Sequence, residues 1–259
     1  MPTPFYHLRL AQELINHPNL PETIRGFLQA VRCEFLFGST APDVQVISGQ
    51  PRQETHFFNL PIQAGDPPAW EVLLTEYPHL RSTEKLPAAR VAFIAGYLCH
   101  LQADWRWITD IFAPVFGPGC PWETFQRRLY YHNVLRAYLD QEVLPDLGAG
   151  MDGCLSQVEP DRWLPFIKDD HLVEWRDFLV PQLRSGAATH TVEVFSARQG
   201  RSVPEYQALL GSQERMQREI FARLPLERIQ SYWLAVLDDN YHMVIQYLAF
   251  ALHQSDMVL

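Results

Sequence analysis

The chain has 259 residues, 47% of them hydrophobic and 20% charged, a balance that supports a sizeable buried core and excludes an intrinsically disordered protein. Its formal net charge of -9 argues against stable nucleic-acid binding, which needs a positive surface field. The longest apolar stretch, residues 91–101, is too short to span a bilayer, so no transmembrane segment is expected.

Apolar residues three and four apart predict helices over residues 5–15, 21–31, 88–109, 122–143, 172–183, 206–224 and 226–252. Pro21 before Glu22 and Pro204 before Glu205 are first-turn signals. No run alternates strictly enough for a sheet, and residues 189–195 come closest. Turn residues mark loops at 38–43, 64–68, 116–121 and 146–153. The expected fold class is therefore all-α, a multi-helix bundle. The 146–153 loop separates a half that carries the chemistry, residues 1–145, from a motif-poor half, residues 154–259. The last helix is expected to pack back on the first half, making residues 1–259 a single all-helical domain.

The helix over 88–109 contains AFIAGYLCHLQAD, which ends in His100 and Asp104. A histidine and a carboxylate four residues apart share one helix face, about 6 Å apart along the axis, within reach of a single metal ion. Upstream, Gly38 and Pro42 break the chain just before Asp43, and QETHFF then supplies His56. Two imidazoles and two carboxylates suit a hydrolytic zinc centre better than a closed structural site, which recruits thiolates.

At these residues the chain resembles the zinc-dependent phospholipase C family, whose relatives include the S1/P1-type nucleases. The resemblance runs through G-x3-PD, TH-x-F and GYL-x-HL-x2-D, between Gly38 and Asp104, and extends more loosely to His7 and to the helix around His132. It implies an all-helical fold of the phospholipase C type and a zinc held by Asp43, His56, His100 and Asp104, with Asp104 also bridging to a neighbouring metal. It implies further that Asp43 serves as general base. His7 matches the family histidine near the chain start, and His132 its last ligand histidine.

Several positions depart from the family pattern. The chain begins Met1-Pro2-Thr3-Pro4, without the tryptophan whose amine and carbonyl bind zinc in the secreted members. Asp110 stands where a ligand histidine is expected, and it reaches the site only if the helix bends or ends near Trp107. Arg136 replaces a glutamate ligand; a guanidinium repels a cation but can hold a phosphate by paired hydrogen bonds. Asp140 is the other carboxylate near His132. One or two zinc ions are expected rather than three.

The resulting expectation is a zinc-dependent hydrolase of phosphodiesters, with a phospholipid among its substrates. Arg136 would bind phosphate, and Trp107, on the face of His100 and Asp104, would either line an apolar pocket or pack in the core, the commoner use of such a residue. The alternatives are a non-catalytic helical protein that binds metal or lipid through a partly retained site, and a nuclease of the S1/P1 type. Arg52 offers either a phosphate contact or an ion pair with Glu54. Asp238 and His242 repeat the four-residue spacing on the last helix, where a surface pair is the simpler reading. Cys33, Cys99, Cys120 and Cys154 show no paired spacing and read as buried thiols of a reducing compartment. With no signal peptide visible at the start, the cytoplasm is the expected location.

Overall fold

The computed structural model describes residues 1–252, and among them no strand occurs. The protein is an all-α, multi-helix assembly. In chain order its helices are α1 (Pro4–Ile15), α2 (Glu22–Ala30), α3 (Arg32–Gly38), α4 (Gln45–Ser48), α5 (Arg52–His56), α6 (Ala69–Glu76), α7 (Ala88–Arg106) and α8 (Phe125–Val143). There follow α9 (Met151–Ser156), α10 (Asp169–Leu179), α11 (Thr191–Gln199), α12 (Val203–Leu210), α13 (Gln213–Met216) and α14 (Leu226–Leu252).

Local chemistry sets many of the boundaries. Prolines stand at or just before the first turns of α1, α2, α5, α6 and α7, where the missing N–H costs nothing and the fixed φ favours helix entry. Ser202 and Glu205 close a capping box on α12, and Thr124 accepts from the Arg127 amide at the start of α8. Gly49 ends α4 with φ +72°, a left-handed conformation that a side chain would strain.

α7 is the central element. Every residue from Val91 to Asp104 is buried, so this helix has no solvent face over four turns. α3, α6, α14 and α1 pack around it. Beyond Arg106 the chain does not leave the helix but widens into a π-helical segment, Trp107–Phe116, which contains Pro114. The apolar core is continuous across the 146–153 loop: Leu8, Phe35, Tyr97 and Trp107 belong to the same cluster as Trp175, Tyr206, Tyr232 and Leu248.

Of residues 189–195, the nearest approach to strand alternation, those from Thr191 on fall in α11, which docks on α8 and whose Thr191 hydrogen-bonds the buried Asp140. One expectation is corrected. Cys33 and Cys154 are not thiols but a disulfide, which ties α3 to α9 across 121 residues of sequence. Only Cys99 and Cys120 are free. The cross-link removes the cysteine argument for a reducing compartment. Among the described residues no helix is long and apolar enough to cross a membrane.

Candidate metal centre

The site forms where α3 and α7 cross on two glycines. A Cβ on Gly38 would lie 2.0 Å from the Phe93 carbonyl oxygen, and one on Gly96 would lie 2.0 Å from that of Phe35. This backbone-to-backbone contact brings the turn after α3 against the second half of α7. Ser39 then meets His100, and the 3-10 turn Ala41–Val44 carries Asp43 to the same place. α5 adds His56, and α1 adds His7 from the opposite side.

Asp104 sits among the imidazoles. Its Oδ1 lies 3.3 Å from Nε2 of His7, and its Oδ2 lies 3.4 Å from Nε2 of His56 and 3.6 Å from Nε2 of His100. Oδ1 of Asp43 is 3.6 Å from Nε2 of His56. The rings of His7 and His100 stack with centroids 3.7 Å apart. Two sets of ligand atoms, one from His7, His100 and Asp104 and one from Asp43, His56 and His100, each fall within 4.8 Å of one another.

Hydrogen bonds outside this group orient the rings. Nδ1 of His100 lies 2.8 Å from the Ser39 carbonyl oxygen, which can only accept, so Nδ1 carries the proton and the Nε2 lone pair faces inward. Thr55 donates its hydroxyl to the Arg52 carbonyl, leaving Oγ1 to accept from Nδ1 of His56 at 2.8 Å. His56 is thereby held in the same tautomer. Nε2 of His7, His56 and His100 and Oδ1 of Asp104 are all buried without a hydrogen-bond partner. Unpaired buried polar atoms are rare and costly singly, and four facing one another have a shared explanation in a cation. Neutral imidazole nitrogens and carboxylate oxygens are the donors zinc accepts.

Burial, helped by the neighbouring His100, lowers the His7 imidazole to about 4, and burial with the nearby Arg52 charge lowers His56 to about 3. Both are neutral at physiological pH, as metal ligation requires. Burial alone would raise the carboxyls, but His56 and His100 outweigh it at Asp43, and His100 and Arg52 outweigh it at Asp104. Both carboxylates stay ionised.

Arg52 is the neighbour that sequence spacing did not disclose. Its guanidinium donates to Oδ2 of Asp104 at 2.5 Å rather than pairing with Glu54. It thus places a fixed positive charge on the carboxylate at the centre of the group.

The remaining candidates lie elsewhere. His132 is buried on α8, but its Nε2 accepts from the Trp107 indole N–H at 2.9 Å and its ring packs against Phe112 and Phe116. Trp107 is fully enclosed in the core, which corrects its assignment to a substrate pocket. Asp110 is also corrected: on the π-helical segment it pairs with Arg106 at 3.3 Å, and Arg106 is in turn forked onto Asp239 of α14, so the carboxylate faces away from the metal group. Asp140 accepts from Thr3 and, at 2.5 Å, from Thr191, a hydrogen-bond centre of its own. Asp238 and His242 form a largely exposed surface pair, 3.7 Å apart.

Arg136 does face a cavity that adjoins the metal group. Burial pushes its guanidinium down to about 10, which leaves it charged at neutral pH.

Compared with known protein families, curated proteins and solved structures, the chain matches none.

Proposed function

We propose that this protein is a zinc-dependent hydrolase of phosphodiesters, similar in chemistry to the phospholipase C family. The observation that carries the reading is the set of three inward-facing imidazole Nε2 atoms, on His7, His56 and His100, buried without partners beside Asp43 and Asp104. The order of the motifs along the chain supports the same reading. His7, His56, His100, Asp43 and Asp104 would hold one or two zinc ions, with His100 common to both sets of ligand atoms.

Zinc bound there supplies Lewis acidity toward water and toward a phosphoryl oxygen. The protein's own groups do the rest. Asp43, the donor with access to the cavity, is ionised and takes the proton from the attacking water. Arg52, which lines the same cavity as Asp43, would bind a non-bridging phosphate oxygen with the N–H groups that Asp104 leaves free and hold phosphorus in line with the water. Ser39 and Thr55 keep the His100 and His56 rings in the ligating tautomer.

Elemental analysis of protein purified without chelator or tag-derived metal tests the reading, with His100→Ala as control. One or two zinc ions per chain, lost on substitution, support a hydrolytic centre and direct the search to phosphodiester substrates. Absence of metal from the wild type under zinc supplementation sinks it and leaves a helical protein with a histidine-aspartate core.

A further inference from the structure

The metal group opens on one side only partly covered by Asp43, whose side chain is 13% exposed. Asp43 and Arg52 form the inner end of a cavity of about 320 Å³, whose outer walls come from the chain start, α10 and α11. Arg136 and Arg198 also line it, and among the described residues Asp43 is the one carboxylate that does. Arg52 is paired with Asp104, but Arg136 and Arg198 have no ion-pair partner among the described residues, and two such guanidiniums against Asp43 reverse the sign locally within a chain whose net charge is -9. In a concave, low-dielectric recess such a reversal focuses a positive potential on whatever enters.

The arginines are held differently, and the difference defines a receptor. Arg136 donates to the Met1 carbonyl at 2.9 Å and to Asn133, and its guanidinium lies 4.1 Å from the centroid of the Phe195 ring. It is immobilised before any ligand arrives, and its Nε remains buried without a partner. Arg198, one turn from Phe195 on α11, has no ion-pair partner among the described residues and is exposed at the rim. Between them the wall is apolar, formed by Val46, Phe178, Val194 and Phe195.

We propose that this cavity is an anion subsite for the non-transferred portion of the substrate: a compact apolar group carrying a phosphate or carboxylate, which Arg136 and Arg198 bind while the scissile ester faces Asp43. The substrate role rests on the hydrolase reading above, whereas the subsite's affinity for an organic anion does not. A cationic headgroup meets the guanidiniums of Arg136 and Arg198, and the aromatic face of Phe195 that could attract it is already covered by Arg136. The volume is at the lower end for small-molecule sites, room for a ring-sized body and unsuited to enclosing two acyl chains.

Isothermal titration of the full chain with phenyl phosphate and with phenyltrimethylammonium, at low salt, tests this directly. Each is titrated into zinc-supplemented and chelator-treated protein. The expected result is that phenyl phosphate binds both preparations, that Arg198→Gln weakens it about tenfold with unchanged thermal stability, and that the cation of the same size does not bind. Equal affinity of wild type and Arg198→Gln, binding of the cation, or loss of phenyl phosphate binding in the chelated protein each overturns the subsite. Binding by a chain that takes up no zinc even when supplemented keeps the subsite and removes the hydrolase reading instead.

Discussion

Gly38 and Gly96 lie at the crossing of α3 and α7, each so close to a carbonyl oxygen of the facing helix that a Cβ would stand 2.0 Å from it. The contact fixes both the depth and the register of the crossing, because neither backbone can recede without opening the core that surrounds Phe35 and Phe93. Gly96→Ala is expected to lower stability by at least about 1–3 kcal/mol through overpacking. It is also expected to displace Ser39 from His100, so that zinc content, on the function proposed above, falls with it. Urea denaturation and elemental analysis of the same sample check both effects; an unchanged midpoint would show that the helices separate freely.

Thr55→Val keeps the shape of the side chain but deprives Nδ1 of His56 of its acceptor. With the tautomer no longer fixed, zinc affinity is expected to drop about 10- to 100-fold while the fold is retained. Competition against a chromophoric chelator measures it, and wild-type affinity would show that Thr55 does not orient the ring.

Asp43→Asn removes the carboxylate that reaches both the metal group and the cavity. Turnover of a phosphodiester substrate is expected to fall about 10²- to 10⁴-fold with little change in helicity. Steady-state rates with circular dichroism on one preparation separate lost chemistry from lost structure, and an undiminished rate would take the base role from Asp43.

Asp140 gives the protein a stability slope of unusual sign. Burial raises its carboxyl to about 7 despite hydrogen bonds from Thr191 and Thr3. Between about pH 4 and 7 the folded protein therefore binds a proton that the unfolded chain has released. Asp140 thus favours folding in acid, and its contribution declines as pH rises through about 7. Asp140→Asn, which can accept from one threonine and donate to the other, is expected to remove that decline. Denaturation midpoints at pH 5 and pH 8 show it: the wild type-to-variant difference moves in favour of the variant at the higher pH, and parallel profiles would refute the shift.

What was legible before the structure was what lies close in sequence. Periodicity marked α1, α7, α8 and α14 to within a few residues, because each buries a continuous stripe or, for α7, its whole circumference. The i,i+4 spacing put His100 and Asp104 on one face, and the breaks at Gly38 and Pro42 placed Asp43 on a turn. The pairing of Arg52 with Asp104 was hidden because it depends on how the short α5 folds over α7, 52 residues away. His132 looked equivalent to the other histidines; only the Trp107 indole, brought beside it by the π-helical segment, takes its lone pair. Ser39 and Thr55 left a faint signal as small polar residues directly beside the motif residues Gly38 and His56.

The Cys33–Cys154 bond has a topological consequence for the candidate metal centre. Asp43, His56, His100 and Asp104 all lie between the two cysteines, so the cross-link makes them members of one covalent ring, with His7 alone outside it. Even a fully denatured, oxidised chain keeps four of the five donors on a closed loop, and the encounters needed to gather them around an ion are correspondingly more frequent than on an open strand. Reduction opens the ring without touching a ligand, so the redox surroundings in which the chain folds bear on how readily the centre can be filled.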